Sequence, residues 1–195
     1  DKKPMPIPIR FGLVGPNGED MDIERIEGAD VADDVLLLTE AAQTVVFHGI
    51  GARPVPSLLR NFSAPVRLLS NADGDDRMFL LAHDSDPFNR WEAAQAIAID
   101  LLKRGTEAAR SGGTPAGDPQ FVRGLGTIAA DDGLEPAYRA LALQLPAESD
   151  IFREIGSDVD PAAIAVARHA LKVEIGKGLA DTFAALYAEL ADDAP

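Results

Sequence analysis

The side chains able to do chemistry in this sequence are few in kind and scattered in position. There are three histidines, His48, His83 and His169, and no cysteine. A zinc peptidase helix needs His-Glu-x-x-His, which puts two imidazoles on one face with a glutamate base between them. No such array is present: His169 is followed four residues later by Val173, and His48 and His83 each follow an apolar run. Without ligand spacing, all three read as ordinary structural histidines. A Gly-x-Ser-x-Gly elbow and a Walker loop are absent. Gly124-x-Gly126 lacks the third glycine and a preceding strand of a dinucleotide site. Asn71, Asp73 and Asp75 alternate like calcium ligands, but the sixth loop position is Asp76 and the twelfth is Ala82. A calcium loop wants glycine and a bidentate glutamate there, so the stretch reads as a solvated turn between two strands. The 32 Asp and Glu residues are abundant without being paired at catalytic separation by any motif. No catalytic, cofactor-binding or metal-binding residue is assigned.

The elements that would position such residues change character along the chain. Ile7, Ile9, Phe11 and Leu13 alternate with other residues, the period of a half-buried strand. Pro16-Asn17-Gly18 supplies hairpin turn chemistry, and Met21, Ile23 and Ile26 are expected on the returning strand. Short apolar runs at 35–39, 44–47, 57–60, 66–69 and 78–81 follow, separated by turn residues. Many short strands with little helix between them imply a sandwich or barrel. The run at 35–38 is the ambiguous one of these, because four apolar residues have no readable period.

From about Asp86 the period becomes helical. Trp91, Ala94, Ala98, Leu101 and Leu102 share one helical face, and Ile164, Leu171, Ile175, Leu179, Leu186 and Leu190 make a longer stripe. Asp86-Pro87, Asp118-Pro119, Glu135-Pro136 and Asp160-Pro161 each set an acidic residue before proline. The carboxylate accepts first-turn N–H groups and proline costs nothing at the first helical position, glutamate being the poorer cap. A short helix is expected over 148–155. Trp91, the sole tryptophan, suits a core or domain junction better than a partner's anchor, and the Ala-rich helices suit tight intramolecular packing.

Composition narrows the partners. The 195 residues are 46% hydrophobic with a net charge of −14 and no dense basic cluster. Nucleic acid and anionic membrane surfaces are therefore unexpected. No run of about 18 apolar residues spans a membrane. The lead-in Asp1-Lys2-Lys3-Pro4 opens a proline-rich segment instead of a signal peptide. The absence of cysteine fits a reducing compartment, and a cytoplasmic location is expected.

Four long strings, in order and at consistent spacing, resemble the bacterial aminopeptidase N (alanyl aminopeptidase) family. They are residues 39–47 (TEAAQTVVF), 53–66 (RPVPSLLRNFSAPV), 83–95 (HDSDPFNRWEAAQ) and 158–165 (DVDPAAIA). The resemblance covers nearly the whole chain and is strongest from Pro4 to Gln95. It implies a fold of two segregated domains (α+β): an all-β immunoglobulin-like sandwich over 1–85, then an all-α superhelical, solenoid-like segment over 86–195, truncated at its far end. It further implies a parent zinc metallo-aminopeptidase whose His-Glu-x-x-His and Gly-x-Met-Glu-Asn motifs lie outside this chain, so Zn2+ belongs to the parent and no catalytic residue carries over. The implied role is non-catalytic: spacer and part of the wall of the active-site chamber. The implied partners are the parent's catalytic domain and its peptide substrates.

Two rivals remain open: a standalone β-sandwich plus helical protein-binding module, and, with no nucleophile or metal set to support it, a small hydrolase. A His-Glu-x-x-His upstream in the same reading frame separates the first reading from the second. Three expectations follow. Residues 35–69 hold no helix. No strand lies beyond Trp91. Both ends lack neighbours, an unpaired edge at the first strand and an uncovered face on the 164–190 stripe, which favours self-association.

Overall fold

The computed structural model describes residues 4–190; the lead-in residues 1–3 and residues 191–195 lie outside the described residues. The chain forms two compact units, Asp1–Ala93 and Ala94–Pro195.

The first unit is built on β1 (Ile7–Val14), whose alternating residues Ile9, Phe11 and Leu13 are buried as the period requires. β1 serves two antiparallel neighbours in succession. Its first half pairs with β4 (Val35–Leu38), placing Ile9 opposite Leu36. Its second half pairs with β6 (Val55–Leu58), placing Gly12 opposite Ser57. With β3 (Asp30–Ala32) the order is β3-β4-β1-β6, and β2 (Arg25–Glu27) with β5 (Val46–His48) makes a separate two-stranded sheet. Ile9, Phe11, Leu36, Leu59 and Ala64 form the core, and the Phe47 ring from β5 packs 5.3 Å from Phe11. This is the expected immunoglobulin-like layering of antiparallel strands.

Several local expectations are corrected. Residues 78–81 are not a strand: they lie in helix α1 (Gly74–His83). Asn71 to Asp76 is not a turn between strands but the start of that helix, where the Asp73 carboxylate accepts the Asp76 N–H at 2.8 Å. The aspartates alternate there because one of them caps, which a strand reading could not use. Helix therefore begins twelve residues before Asp86. Met21 and Ile23 are not in a strand. The turn closes through an isolated Val14–Asp20 bridge with the Met21 N–H donating to the Leu13 carbonyl, and Ile26 pairs instead with Phe47. A 3-10 turn at Arg60–Phe62 interrupts the stretch expected to be free of helix. Residues 66–69 carry no strand pairing. The ambiguous Val35–Leu38 is a strand, fixed by its long-range pairing to β1.

The remaining helices are α2 (Pro87–Arg110), α3 (Pro119–Ala129), α4 (Pro136–Ala142), α5 (Glu148–Ile155), α6 (Pro161–Gly178) and α7 (Ala180–Leu190). No strand among the described residues lies beyond Trp91. In the second unit Ala98, Leu102, Phe121, Leu125, Ile128, Ile151 and Ile164 are almost wholly buried. The acidic-proline starts behave as their chemistry dictates. Asp86, Asp118 and Asp160 accept first-turn N–H groups at 2.9, 2.7 and 3.0 Å, whereas Glu135 makes no capping bond. The long apolar stripe is divided. Ile164, Leu171, Ile175 and Leu179 are buried, but α7, carrying Leu186 and Leu190, buries no residue.

Candidate functional site

The densest group of interacting polar side chains lies in the first unit, around Arg60. Its location follows from local backbone chemistry. After β6 the chain turns sharply, and Leu59, Asn61 and Phe62 adopt φ of 62°, 52° and 52°. Non-glycine residues hold such angles only where surrounding contacts over-determine them. One of those contacts is a hydrogen bond to the Asp86 carboxylate. Its Oδ2 accepts the Asn61 N–H at 2.8 Å while its Oδ1 caps α2. One carboxylate thus joins the strained turn to the start of a helix.

The turn points the Arg60 side chain inward, 7% exposed, across β1. The guanidinium occupies the space a side chain at position 12 would fill: a Cβ on Gly12 would stand 2.1 Å from Cζ. A glycine inside a strand marks such a close approach. Arg60 Nη1 and Nη2 donate to the two carboxylate oxygens of Asp20 at 2.5 and 2.7 Å, a bidentate pair. Nη2 also donates to Asp84 Oδ1 at 3.0 Å, and Nε to the Ser57 hydroxyl at 2.8 Å. Asn89 Nδ2 donates to the same hydroxyl at 2.7 Å and to the Leu58 carbonyl at 2.9 Å.

The electrostatics are those of a clamp. The Arg60 hydrogen bond holds Asp20 below the usual carboxylate range against partial burial. Burial pushes Asp84 up, opposed by the Ser57 hydroxyl, the Asp86 N–H and the Arg60 charge. Its Oδ2 is buried with no hydrogen-bond partner. Burial by itself would lower the Arg60 pKa, but the bond to Asp20 and the charges of Asp84, Asp20 and Asp86 outweigh it and raise it. Each nitrogen of the guanidinium donates to a carboxylate or a hydroxyl, an arrangement that holds the surrounding segments of chain together.

The sequence assigned no role to Arg60, Asp20, Ser57, Asp84, Asp86 or Asn89, apart from the cap at Asp86. The available signal was Gly12 in the middle of a strand, together with an arginine that follows the apolar Leu58-Leu59. The chemistry-bearing residues singled out from sequence are not brought together. His48 lies on β5, 3.4 Å from Glu27 Oε2. His83 ends α1, its ring 4.7 Å from Phe79 and packed at Gly18, whose φ is +83°. His169 lies exposed on α6. Among the described residues no three His, Cys, Asp or Glu side chains form a group able to hold a metal ion, so the residues present do not fit a zinc site. Trp91 is half-buried and packs 5.8 Å from Phe88. Gly124 and Gly126 are on α3.

Residues 74–195 match the family described as "Domain of unknown function (DUF3458_C) ARM repeats", and residues 1–71 match "Domain of unknown function (DUF3458) Ig-like fold". The chain belongs to this family. Aminopeptidase N of Caulobacter vibrioides is 40% identical over 80% of the chain, and that of Escherichia coli 33% identical over 96%. The crystal structure of Legionella pneumophila aminopeptidase A in complex with aspartic acid matches 95% of the chain at 26% identity, with a TM-score of 0.73. The resemblance read in the four strings is therefore a true relationship to the aminopeptidase N family. The chain spans only 18% and 21% of the two curated relatives and 20% of the Legionella chain. No helix among the described residues is long and apolar enough to cross a membrane.

Proposed function

We propose that this chain is a non-catalytic part of a zinc metallo-aminopeptidase, an immunoglobulin-like spacer followed by helices that help wall the active-site chamber. One observation carries the reading. Aminopeptidase N relatives match nearly all of the chain, yet the chain spans about a fifth of them. Zinc and its ligands then belong to the four-fifths outside, where the metal would supply an activated water. What this chain supplies is shape: the Arg60 clamp fixes the junction of sheet and helix, and a rigid scaffold is what holds a site in register. The partners under this reading are the catalytic domain and peptide substrates entering by their N-termini. The lack of cysteine supports a cytoplasmic setting.

The test compares two polypeptides, the 195-residue chain and the product of the full reading frame that contains it. The expected result is zinc-dependent release of aminoacyl anilide by the longer product and none by the shorter, with zinc retained after dialysis only by the longer. A reading frame that starts and ends with this chain would leave the standalone binding module as the reading. Turnover by the 195-residue chain would replace both with an enzyme in its own right.

A further inference from the structure

The turn after β1 carries a pair of residues with chemistry of its own. Gly15-Pro16-Asn17-Gly18 closes with the Gly18 N–H donating to the Gly15 carbonyl at 2.8 Å. Gly18 has φ +83°, and a Cβ there would stand 2.6 Å from Nδ1 of His83, which keeps this position glycine. Asn17 before it is exposed. Its Oδ1 accepts the Glu19 N–H at 3.3 Å, and its Nδ2 donates to Glu19 Oε2 at 3.2 Å. The other asparagines, Asn61, Asn71 and Asn89, each precede a residue that has a Cβ: Phe62, Ala72 and Arg90.

The backbone nitrogen that follows an asparagine can attack its side-chain carbonyl carbon. A Cβ on the attacking residue hinders the approach, and glycine leaves it open. Here the Gly18 nitrogen bonds to Asn17 Cγ and the Cγ–Nδ2 bond breaks. Nδ2 leaves as ammonia, taking with it the proton from the Gly18 nitrogen. Negative charge develops on Oδ1 as the ring closes, and the Glu19 N–H already donates to that atom. Water then opens the cyclic imide. Opening at Cγ leaves aspartate. Opening at the main-chain carbonyl leaves isoaspartate, whose backbone is one carbon longer.

We propose that Asn17 is a site of spontaneous imide formation and deamidation, and that the isoaspartate product loosens the Asp20–Arg60 clamp. The Gly15 bond slows the first step, because the attacking nitrogen must first release its proton from that carbonyl. An exposed turn opens locally far more often than the whole chain unfolds, so the step proceeds from the folded protein. The product acts on Asp20, which follows in the same turn and forms the bidentate pair with Arg60. A longer backbone between Gly15 and Asp20 disturbs the Val14–Asp20 bridge that sets the Asp20 carboxylate in place. The new acid also puts a carboxylate where the Asn17 amide had donated to Glu19, and like charges at that separation repel.

The test holds the folded 195-residue chain warm at mildly alkaline pH and maps it by mass spectrometry, with fragmentation that separates aspartate from isoaspartate. Asn17 is expected to convert at least about tenfold faster than Asn61, Asn71 and Asn89. Conversion no faster than at those three, or conversion only after unfolding in urea, would overturn the site. Melting temperature reads the consequence. Chain converted at position 17 is expected to melt lower than fresh chain, while Asn17→Ser held under the same conditions keeps its melting temperature. An equal fall in Asn17→Ser would place the damage elsewhere and overturn the proposal. In Asp20→Asn, which has no carboxylate to give Arg60, conversion is expected to lower the melting temperature less. An equal fall in Asp20→Asn and the parent chain would overturn the link to the clamp.

Discussion

The two units solve the problem of a unique interior by different means. In the first, Ser57, Arg60, Asp76, Asp84, Asp86, Asn89 and Arg90 are all buried, and they crowd into the stretch where the last strand gives way to helices. In the second, among the described residues, the buried polar ones are Thr106 and Arg139, and the interior is mostly Ala, Leu, Ile and Phe on helical faces. A helix satisfies its own backbone groups, so aliphatic packing and capped ends suffice for it. A short sandwich that must pass its chain from β6 through a strained turn into a helix has loose donors and acceptors at the passage. The Arg60 cluster collects them. A polar interior, when satisfied, specifies one arrangement more sharply than an apolar one.

The comparison is most directly broken at Arg60. Arg60→Met would leave Asp20 and Asp84 without their cation, and losing one partner of a buried pair costs about 3–5 kcal/mol. Trp91 lies in the first unit, so its fluorescence in a urea titration reads that unit. Arg139→Met is the matched change in the second unit. Arg139 is equally buried, but among the described residues the hydrogen bond its side chain makes is Nη1 to the Ala129 carbonyl at 3.3 Å. Its loss is expected to cost about 1 kcal/mol, read by helical circular dichroism. Equal costs at the two arginines would mean that the cluster is no more cooperative than a single bond.

The same contrast explains what could be read in advance. Periodicity found β1 and the faces of α2 and α6 because each buries one side of a regular element. The aspartate-proline pairs found the starts of α2, α3 and α6 because a cap is a local interaction. Residues 78–81 were misread because four apolar residues carry no period. What decides them is the Asp73 cap three residues before Asp76, whose pattern was weighed as a metal loop. Residues 66–69 failed for the opposite reason: the local signal says strand, and no neighbour is there. The Arg60 cluster was illegible because its members, Asp20, Ser57, Asp84 and Asn89, are separated by up to 69 positions and meet only through tertiary structure. Ser57, Asp84 and Asn89 stand in strings that carried the family resemblance, and Asp20 does not, but the resemblance named no role for any of them.

A smaller effect sharpens the helical side of the comparison. Asp160→Ala removes an accepted first-turn N–H and is expected to cost about 1 kcal/mol. Glu135→Ala removes no capping bond and is expected to leave the second unit's stability within about 0.3 kcal/mol, well inside what a lost cap would cost. Chemical denaturation followed by circular dichroism distinguishes them. A loss at Glu135 as large as that at Asp160 would show that the acidic-proline starts act through charge at the helix end and not through the hydrogen bond.

The smallest expected effect is the pH dependence of the first unit, where two neighbouring carboxyls should pull in opposite directions. Asp20 is held low by its hydrogen bond to Arg60. Its contribution to stability is full above the ordinary aspartate pKa and is lost as pH falls through the lower folded value. Asp84 is held high by burial. Its contribution is full below the ordinary pKa and is lost as pH rises through the higher folded value. Asp20→Asn should therefore flatten the stability loss on the acid side of the aspartate range, and Asp84→Asn the loss on the alkaline side. The Asp20 side chain is 42% exposed, so solvent screens its share and the change should be slight. Melting temperatures of the two variants and the parent chain, followed by Trp91 fluorescence from acid to neutral pH, give the comparison. Arg110→Ala, at the Arg110–Asp158 surface pair of the second unit, is the control and should leave the profile unchanged. Profiles that move together for Asp20→Asn and Asp84→Asn would mean that the carboxyls around Arg60 share one titration, as strongly coupled groups do. The cluster would then be a single charged unit, and the opposing shifts at its two sides would have no separate thermodynamic consequence.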